Sequence, residues 1–220
     1  MPDLDFDVQG ASAVPYAAAP TMAFKLKISQ VDDGREALNP IHSVALRCQI
    51  RLEPARRKYS ALEQERLLEL FGEPKRWGQT VKTMLWSHVS VVVPPFGVET
   101  GVDLNVPCST DFNIAAAKYF YALEDGLVPL CFLFSGTIFY ADENGALQVS
   151  QISWEKESNF RLPVATWKQM MDMYYPNAAW LCLQKDVFDR LYKYKSERAM
   201  SSWEQAVESL LAAADAKAVV

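Results

Sequence analysis

Val128-Pro-Leu-Cys-Phe-Leu-Phe-Ser-Gly-Thr-Ile-Phe-Tyr140 is the stretch that decides how this chain folds. It is shorter than the roughly 18 to 20 apolar residues a membrane-spanning helix needs. Its aromatic and β-branched residues favour a strand. Leu130, Phe132, Phe134, Ile138 and Tyr140 alternate with Cys131, Leu133 and Phe139, so both faces are largely apolar. A strand apolar on both faces must be covered on both, which predicts the central strand of the core. Asp142-Glu143-Asn144-Gly145 follows as a turn, with Asn-Gly the favoured hairpin dipeptide, and Leu147–Trp154 returns as the partner strand. Ser135-Gly136 offers a hydroxyl beside a permissive glycine, but no histidine lies near it in sequence. Gly136 is therefore read as a bulge or a point of close packing.

Working outward, residues 41–52 carry the clearest two-residue period. Ile41, Val44, Leu46, Cys48, Ile50 and Leu52 form the apolar set, all but Ile41 at even positions, and Ser43, Arg47, Gln49 and Arg51 the wet one. The wet face is basic, and Arg56-Arg57-Lys58 continues it. Charge of this kind guards an edge strand; it also suits a docking surface for an acidic partner. Ser60 and Glu63 then make a capping box for a helix that Gly72 ends. Lys75-Arg76-Trp77-Gly78 reads as a loop, where Arg76 and Trp77 either anchor a partner or cover the end of the sheet. Met84–Phe96 is a strand closed by two prolines.

The remaining segments fill in the ends. Leu4, Phe6 and Val8 alternate with aspartates as an edge strand or solvated arm, Ala11–Pro20 is an extended connector, and Phe24–Ile28 is a half-buried strand broken at Asp32-Asp33-Gly34. Ala115-Ala116-Ala117 favours helix, but Tyr119-Phe120-Tyr121 suits a strand, and 114–123 is read as a strand. Glu155–Arg161 is polar. Pro163 opens a helix with Val164, Trp167, Met170, Met171 and Tyr174 at helical spacing. Amphipathic helices follow from Lys185 and from Trp203, the latter capped by Ser201 or Ser202. The expected fold is α+β: a mostly antiparallel sheet or sandwich, an inserted helix after the second or third strand, and a C-terminal helical segment. Its expected organisation is a single domain, with an extended arm at 1–20, a β-rich core at 21–160, and helices at 161–220 packed on that core.

Composition limits the chemistry. With a net charge of −5, the chain is a poor general nucleic-acid binder, because phosphate contacts need clustered cations. The acidic N-terminus is unlike a signal peptide and no apolar run is long enough to span a bilayer, so a cytoplasmic address is expected. Cys48, Cys108, Cys131 and Cys182 are far apart, each in an apolar stretch, and form no Cys-x-x-Cys pair, which reads as buried reduced thiols and not as a zinc or redox site. The two histidines, His42 and His88, lack companions at ligand spacing. Neither a phosphate-binding glycine loop nor a nucleophile elbow occurs. No catalytic residue, metal or cofactor is expected, and the balance leans to a binding or assembly role.

Arg57-Lys58-Tyr59, Leu70-Phe71-Gly72, Arg76-Trp77, Val93-Pro94-Pro95-Phe96, Lys118–Leu123, Phe134–Tyr140, Tyr174–Trp180 and Trp203–Ala206 together resemble an uncharacterised bacterial protein family of similar length. The resemblance runs along nearly the whole chain. Members of that family tend to be encoded beside NiFe-hydrogenase genes and their maturation factors. It therefore implies an accessory or scaffold protein that binds a hydrogenase subunit or maturation factor, and it carries over no functional residues. The expected partner surface is Arg47, Arg51, Arg56 and Arg57 with Arg76 and Trp77. The alternative is a small-molecule or cofactor pocket between the sheet and the C-terminal helices, lined by Trp154, Trp167 and Tyr174.

Overall fold

The computed structural model describes residues 2–31, 39–109, 113–178 and 181–218. The expected turn at Asp32-Asp33-Gly34, together with Thr110, Asp111, Phe112 and Trp180, lies outside them. The chain divides into two compact units, Met1–Ala178 and Ala179–Val220.

In the first unit, β1 (Leu4–Ala13), β2 (Thr21–Gln30) and β5 (Glu99–Pro107) form a three-stranded antiparallel sheet in the order β1-β2-β5. A second, five-stranded sheet runs β4 (Met84–Val93), β3 (Ile41–Leu52), β6 (Leu127–Ala141) and β7 (Leu147–Gln151), and β8 (Glu157–Pro163) also pairs with β6. Each strand of alternating sequence turns its apolar set inward, and the two inner faces make one core. Phe6 of β1 stacks on Phe134 of β6 at 4.5 Å, and Phe24 of β2 meets Phe132 edge-on at 5.0 Å. The Val8 amide donates to Ser158 Oγ at 3.1 Å, tying β1 to β8. Leu4–Ala13 is thus an edge strand of the core and not a solvated arm, and Ala11–Ala13 belong to it and not to an extended connector.

The 15-residue strand β6 is central, as its sequence predicts. It pairs with β3 along its length on one side, and with β7 and then β8 on the other. Its two faces differ, however. Val128, Leu130, Phe132, Phe134 and Ile138 are buried in the core, whereas Leu133 and Phe139 on the other face are only half-buried. Gly136 has φ +144°, and a Cβ there would overlap the Ala45 carbonyl oxygen. The glycine is a point of close approach between β6 and β3, at the place where β6 changes partner from β7 to β8. Asp142 Oδ1 accepts from the Asn144 and Ala146 amides and Gly145 takes φ +77°, which builds the expected turn.

Other expectations also need correction. Residues 41–52 are not an edge strand: β3 lies between β4 and β6. Residues 114–123 are helix α4 (Ile114–Ala122), because Asn113 Oδ1 accepts from the Ala116 amide and Ala116, Tyr119, Phe120 and Leu123 form one buried helical face. Polar 155–161 overlaps β8 (Glu157–Pro163), whose Ser158, Phe160 and Leu162 alternate inward between Glu157, Asn159 and Arg161.

The insertion between β3 and β4 is helical. Ser60 and Glu63 make the capping box of α1 (Ala61–Arg66), α2 (Leu68–Phe71) ends at Gly72, and α3 (Trp77–Thr80) follows a 3-10 turn over Pro74–Arg76. Lys75–Gly78 is therefore not a loop. Helix α5 (Val164–Tyr174) belongs to the first unit together with the sheets. The second unit holds α6 (Lys185–Glu197) and α7 (Trp203–Ala218), the latter begun by Ser202 Oγ accepting from the Gln205 amide. Among the described residues, no helix is long and apolar enough to cross a membrane.

Candidate functional site

Directly opposed residues of antiparallel strands point to the same side, so the register of the five-stranded sheet lays out its outer face in rows. Val92, Ala45, Thr137 and Gln151 make one row, and Ser90, Arg47 and Ser135 the next. His88, Gln49, Leu133 and Glu157 follow, then Leu85, Arg51, Cys131 and Asn159. Phe139 and Val149 pair at one end, and Pro129 and Arg161 at the other. The face mixes cations with large uncovered apolar groups: Val92 is 73% exposed, Val149 57% and Leu85 47%. Arg47 and Arg161 are also exposed and Arg51 is half-buried. Small neighbours around Arg47 leave a shallow depression of about 160 Å³ lined by Ala45, Arg47, Ser90 and Val92. Glu157 is the acidic residue in these rows, so the face is net basic.

The outer face of the three-stranded sheet contrasts with it. Lys27 opposes Asp7 and Lys25 opposes Asp103, and Lys27 Nζ lies 2.6 Å from Glu99 Oε2. That carboxylate, through its hydrogen bond and its charge, raises the Lys27 pKa. A larger depression of about 410 Å³ lies there, but its charges are matched across the strands.

The structure divides the six residues of the expected partner surface. Arg47 and Arg51 share the outer face of β3. Arg56 is exposed at the end of that strand and bonds Glu53 Oε2 at 2.6 Å. Arg57 is taken up internally. Its guanidinium donates to Glu63 Oε1 at 2.5 Å, to the Asp125 carbonyl at 2.7 Å and to the Leu127 carbonyl at 3.2 Å. Glu63 in turn accepts from the Ser60 and Glu124 amides. This buried pair joins the start of α1 to the turn between α4 and β6. Beside it, Tyr119 donates to Tyr59, which donates to the Pro54 carbonyl. Burial pushes the Tyr119 hydroxyl up to about 12 and raises that of Tyr59 as well. Trp77 is half-buried, with Nε1 donating to the Gly72 carbonyl and the ring edge-on to Tyr59 and Phe71. Arg76 is exposed on the preceding turn.

The three residues of the alternative pocket have unlike settings. Trp154 is 90% exposed, and Trp167 is buried and stacked on Phe120 at 5.1 Å. Tyr174 donates to the Val14 carbonyl and accepts from the Ala17 amide. Cys48 and Cys108 are buried thiols whose pKa burial pushes up to about 12, and burial and then Glu157 raise that of Cys131. These are unreactive positions, whereas Cys182 is exposed and not buried as expected. Val92, Val149 and Arg161 were missed in the sequence, because only the register of four strand pairs brings them beside Arg47 and Arg51.

The model of the Family of unknown function (DUF6084) matches residues 1–219, and the chain belongs to that family. No curated protein matches it. Among solved structures, a β-glucosidase from Kluyveromyces marxianus is similar over 73% of this chain at 13% identity and a TM-score of 0.26. The chain spans 15% of that enzyme's length. The putative ApaA protein from Bordetella pertussis is similar over 73% of this chain and 93% of its own, at 14% identity and a TM-score of 0.23.

Proposed function

We propose that this protein is a non-enzymatic accessory or assembly factor of the cytoplasm that binds a protein partner through the outer face of its five-stranded sheet. The observation that carries the reading is the meeting of Arg47, Arg51 and Arg161 with exposed Val92 and Val149 on one side of that sheet. Exposed apolar groups beside cations suit a partner patch with an apolar centre and carboxylates at its rim. The sequence stretches that resemble a hydrogenase-associated family make a NiFe-hydrogenase subunit or maturation factor the partner we propose.

Capture from the native host with tagged protein tests this. A hydrogenase component should be recovered, and the Arg47→Glu, Arg51→Glu double variant should lose it by roughly tenfold or more. Both substitutions lie on the wet side of β3, so the variant should keep its fold by circular dichroism. Recovery of no hydrogenase component in mild salt would sink the identity of the partner. Equal recovery by the double variant would sink the surface.

A further inference from the structure

The second unit leaves an apolar face uncovered. Phe188 and Tyr192 lie one turn apart on α6, and Trp203, Val207, Leu210 and Leu211 recur at helical spacing on α7. The two sets join at Trp203, whose ring is 5.3 Å from Phe188 and 6.1 Å from Tyr192. The Tyr194 and Ser209 hydroxyls, 2.8 Å apart, link the helices again. The hairpin is built, yet Tyr192 is 57% exposed, Leu211 59%, Phe188 43% and Leu210 42%. Among the unit's described side chains, Ala206 alone is buried. Two helices of 13 and 16 residues do not enclose a core; bundles close with further helices.

Charge identifies what closes this one. On α6 the four cations Lys185, Arg190, Lys193 and Lys195 exceed the carboxylates Asp186, Asp189 and Glu197 by one, with Lys185 and Lys193 set against Asp189 and Glu197 within the helix, while α7 carries Glu204, Glu208 and Asp215. Positions 204, 208, 211 and 215 fall along one line of α7, so carboxylates border the exposed Leu211. A hairpin whose α6 has a slight excess of cations and whose α7 is acidic complements a copy of itself: a two-fold axis sets each α6 against the other chain's α7. We propose that α6 and α7 form a four-helix bundle with the same two helices of a second copy. Taking roughly 200 Å² for a fully exposed large side chain, the six apolar residues offer on the order of 500 Å² per chain. The stems of the flanking charged residues extend this toward the roughly 800 Å² per partner of a standard interface.

Sedimentation velocity on the full chain over a wide concentration range is the test. The expected result is a dimer that dissociates on dilution and whose Kd rises at least about 30-fold in Leu211→Glu, a change at an exposed site. A charge-exchange pair guards against a folding artefact. Glu204→Lys with Glu208→Lys, and separately Lys185→Glu with Lys193→Glu, should each be monomeric, and an equimolar mixture should form a heterodimer. A monomer at every concentration overturns the proposal, as does a trimer or larger species. A dimer indifferent to Leu211→Glu, or a mixture that stays monomeric, also overturns it.

Discussion

Arg57 shows how burial reassigns a side chain that sequence alone places in a surface patch. Its side chain is 8% exposed and that of Glu63 3%, so each ion depends on the other for its solvation. Removing one partner strands a buried charge, and Arg57→Ala should cost about 3–5 kcal/mol in urea unfolding. Arg57→Lys should recover only part of that, because a single ammonium cannot reproduce the fork that reaches Glu63 and two carbonyls. Gly136→Ala should cost roughly 4 kcal/mol, since it adds backbone strain to overlap with the Ala45 carbonyl. Titration gives a third prediction. Burial pushes Cys48, Cys108 and Tyr119 up to about 12 in the folded chain, from ordinary values of 9.0 for a thiol and 10.0 for a phenol. Between those limits the unfolded chain releases protons that the folded chain keeps. The stability these groups contribute is whole below about pH 9 and is lost as pH rises toward 12. The urea midpoint should fall across that window, and Cys48→Ala with Cys108→Ala should flatten the fall.

Helix α4 puts the same question to a whole element. Asn113 caps it through Oδ1, while Nδ2 donates to the Leu85 and Trp86 carbonyls of β4. Asn113→Ala should lose both and cost about 1–2 kcal/mol. Asn113→Asp keeps the cap and loses the link to β4, so its urea midpoint should lie between those of Asn113→Ala and the unaltered chain. The helix was not read from the sequence because Tyr119-Phe120-Tyr121 outweighed the helical spacing of Ala116, Tyr119, Phe120 and Leu123. Local signals otherwise served well. Alternation placed β3, the Asn-Gly turn placed β6 and β7, and Ser60 with Glu63 placed α1. Strand β8 was obscured by its charged outward residues, although Phe160 and Leu162 already alternate. For the candidate site, alternation exposed Arg47 and Arg51. Their company with Val92, Val149 and Arg161 depends on pairings among segments up to a hundred residues apart, which no local pattern contains.

At the scale of the molecule, the two units differ in what holds each of them. Met1–Ala178 contains the closed two-sheet core, with Phe24, Phe132, Tyr119 and Phe120 wholly buried. The helices of residues 179–220 bury little and leave much apolar surface in contact with water. Helices of this length are marginal without tertiary packing, so α6 and α7 should open at lower free energy than the sheets. Hydrogen exchange followed by mass spectrometry resolves the two. Peptides from β3 and β6 should exchange last, at a rate independent of protein concentration. Peptides from α6 and α7 should exchange first in dilute protein and gain protection as concentration rises, because association stabilises only the state in which the hairpin is formed. Protection of α6 and α7 equal to that of β6 at all concentrations would instead mean that the chain unfolds as one cooperative body, with the apolar face of the hairpin satisfied inside a single copy. The same experiment on Leu211→Glu separates the contributions: the sheet peptides should be unchanged and the concentration dependence of the helical ones abolished, which locates the association in the helices and leaves the outer face of the five-stranded sheet free for a different partner.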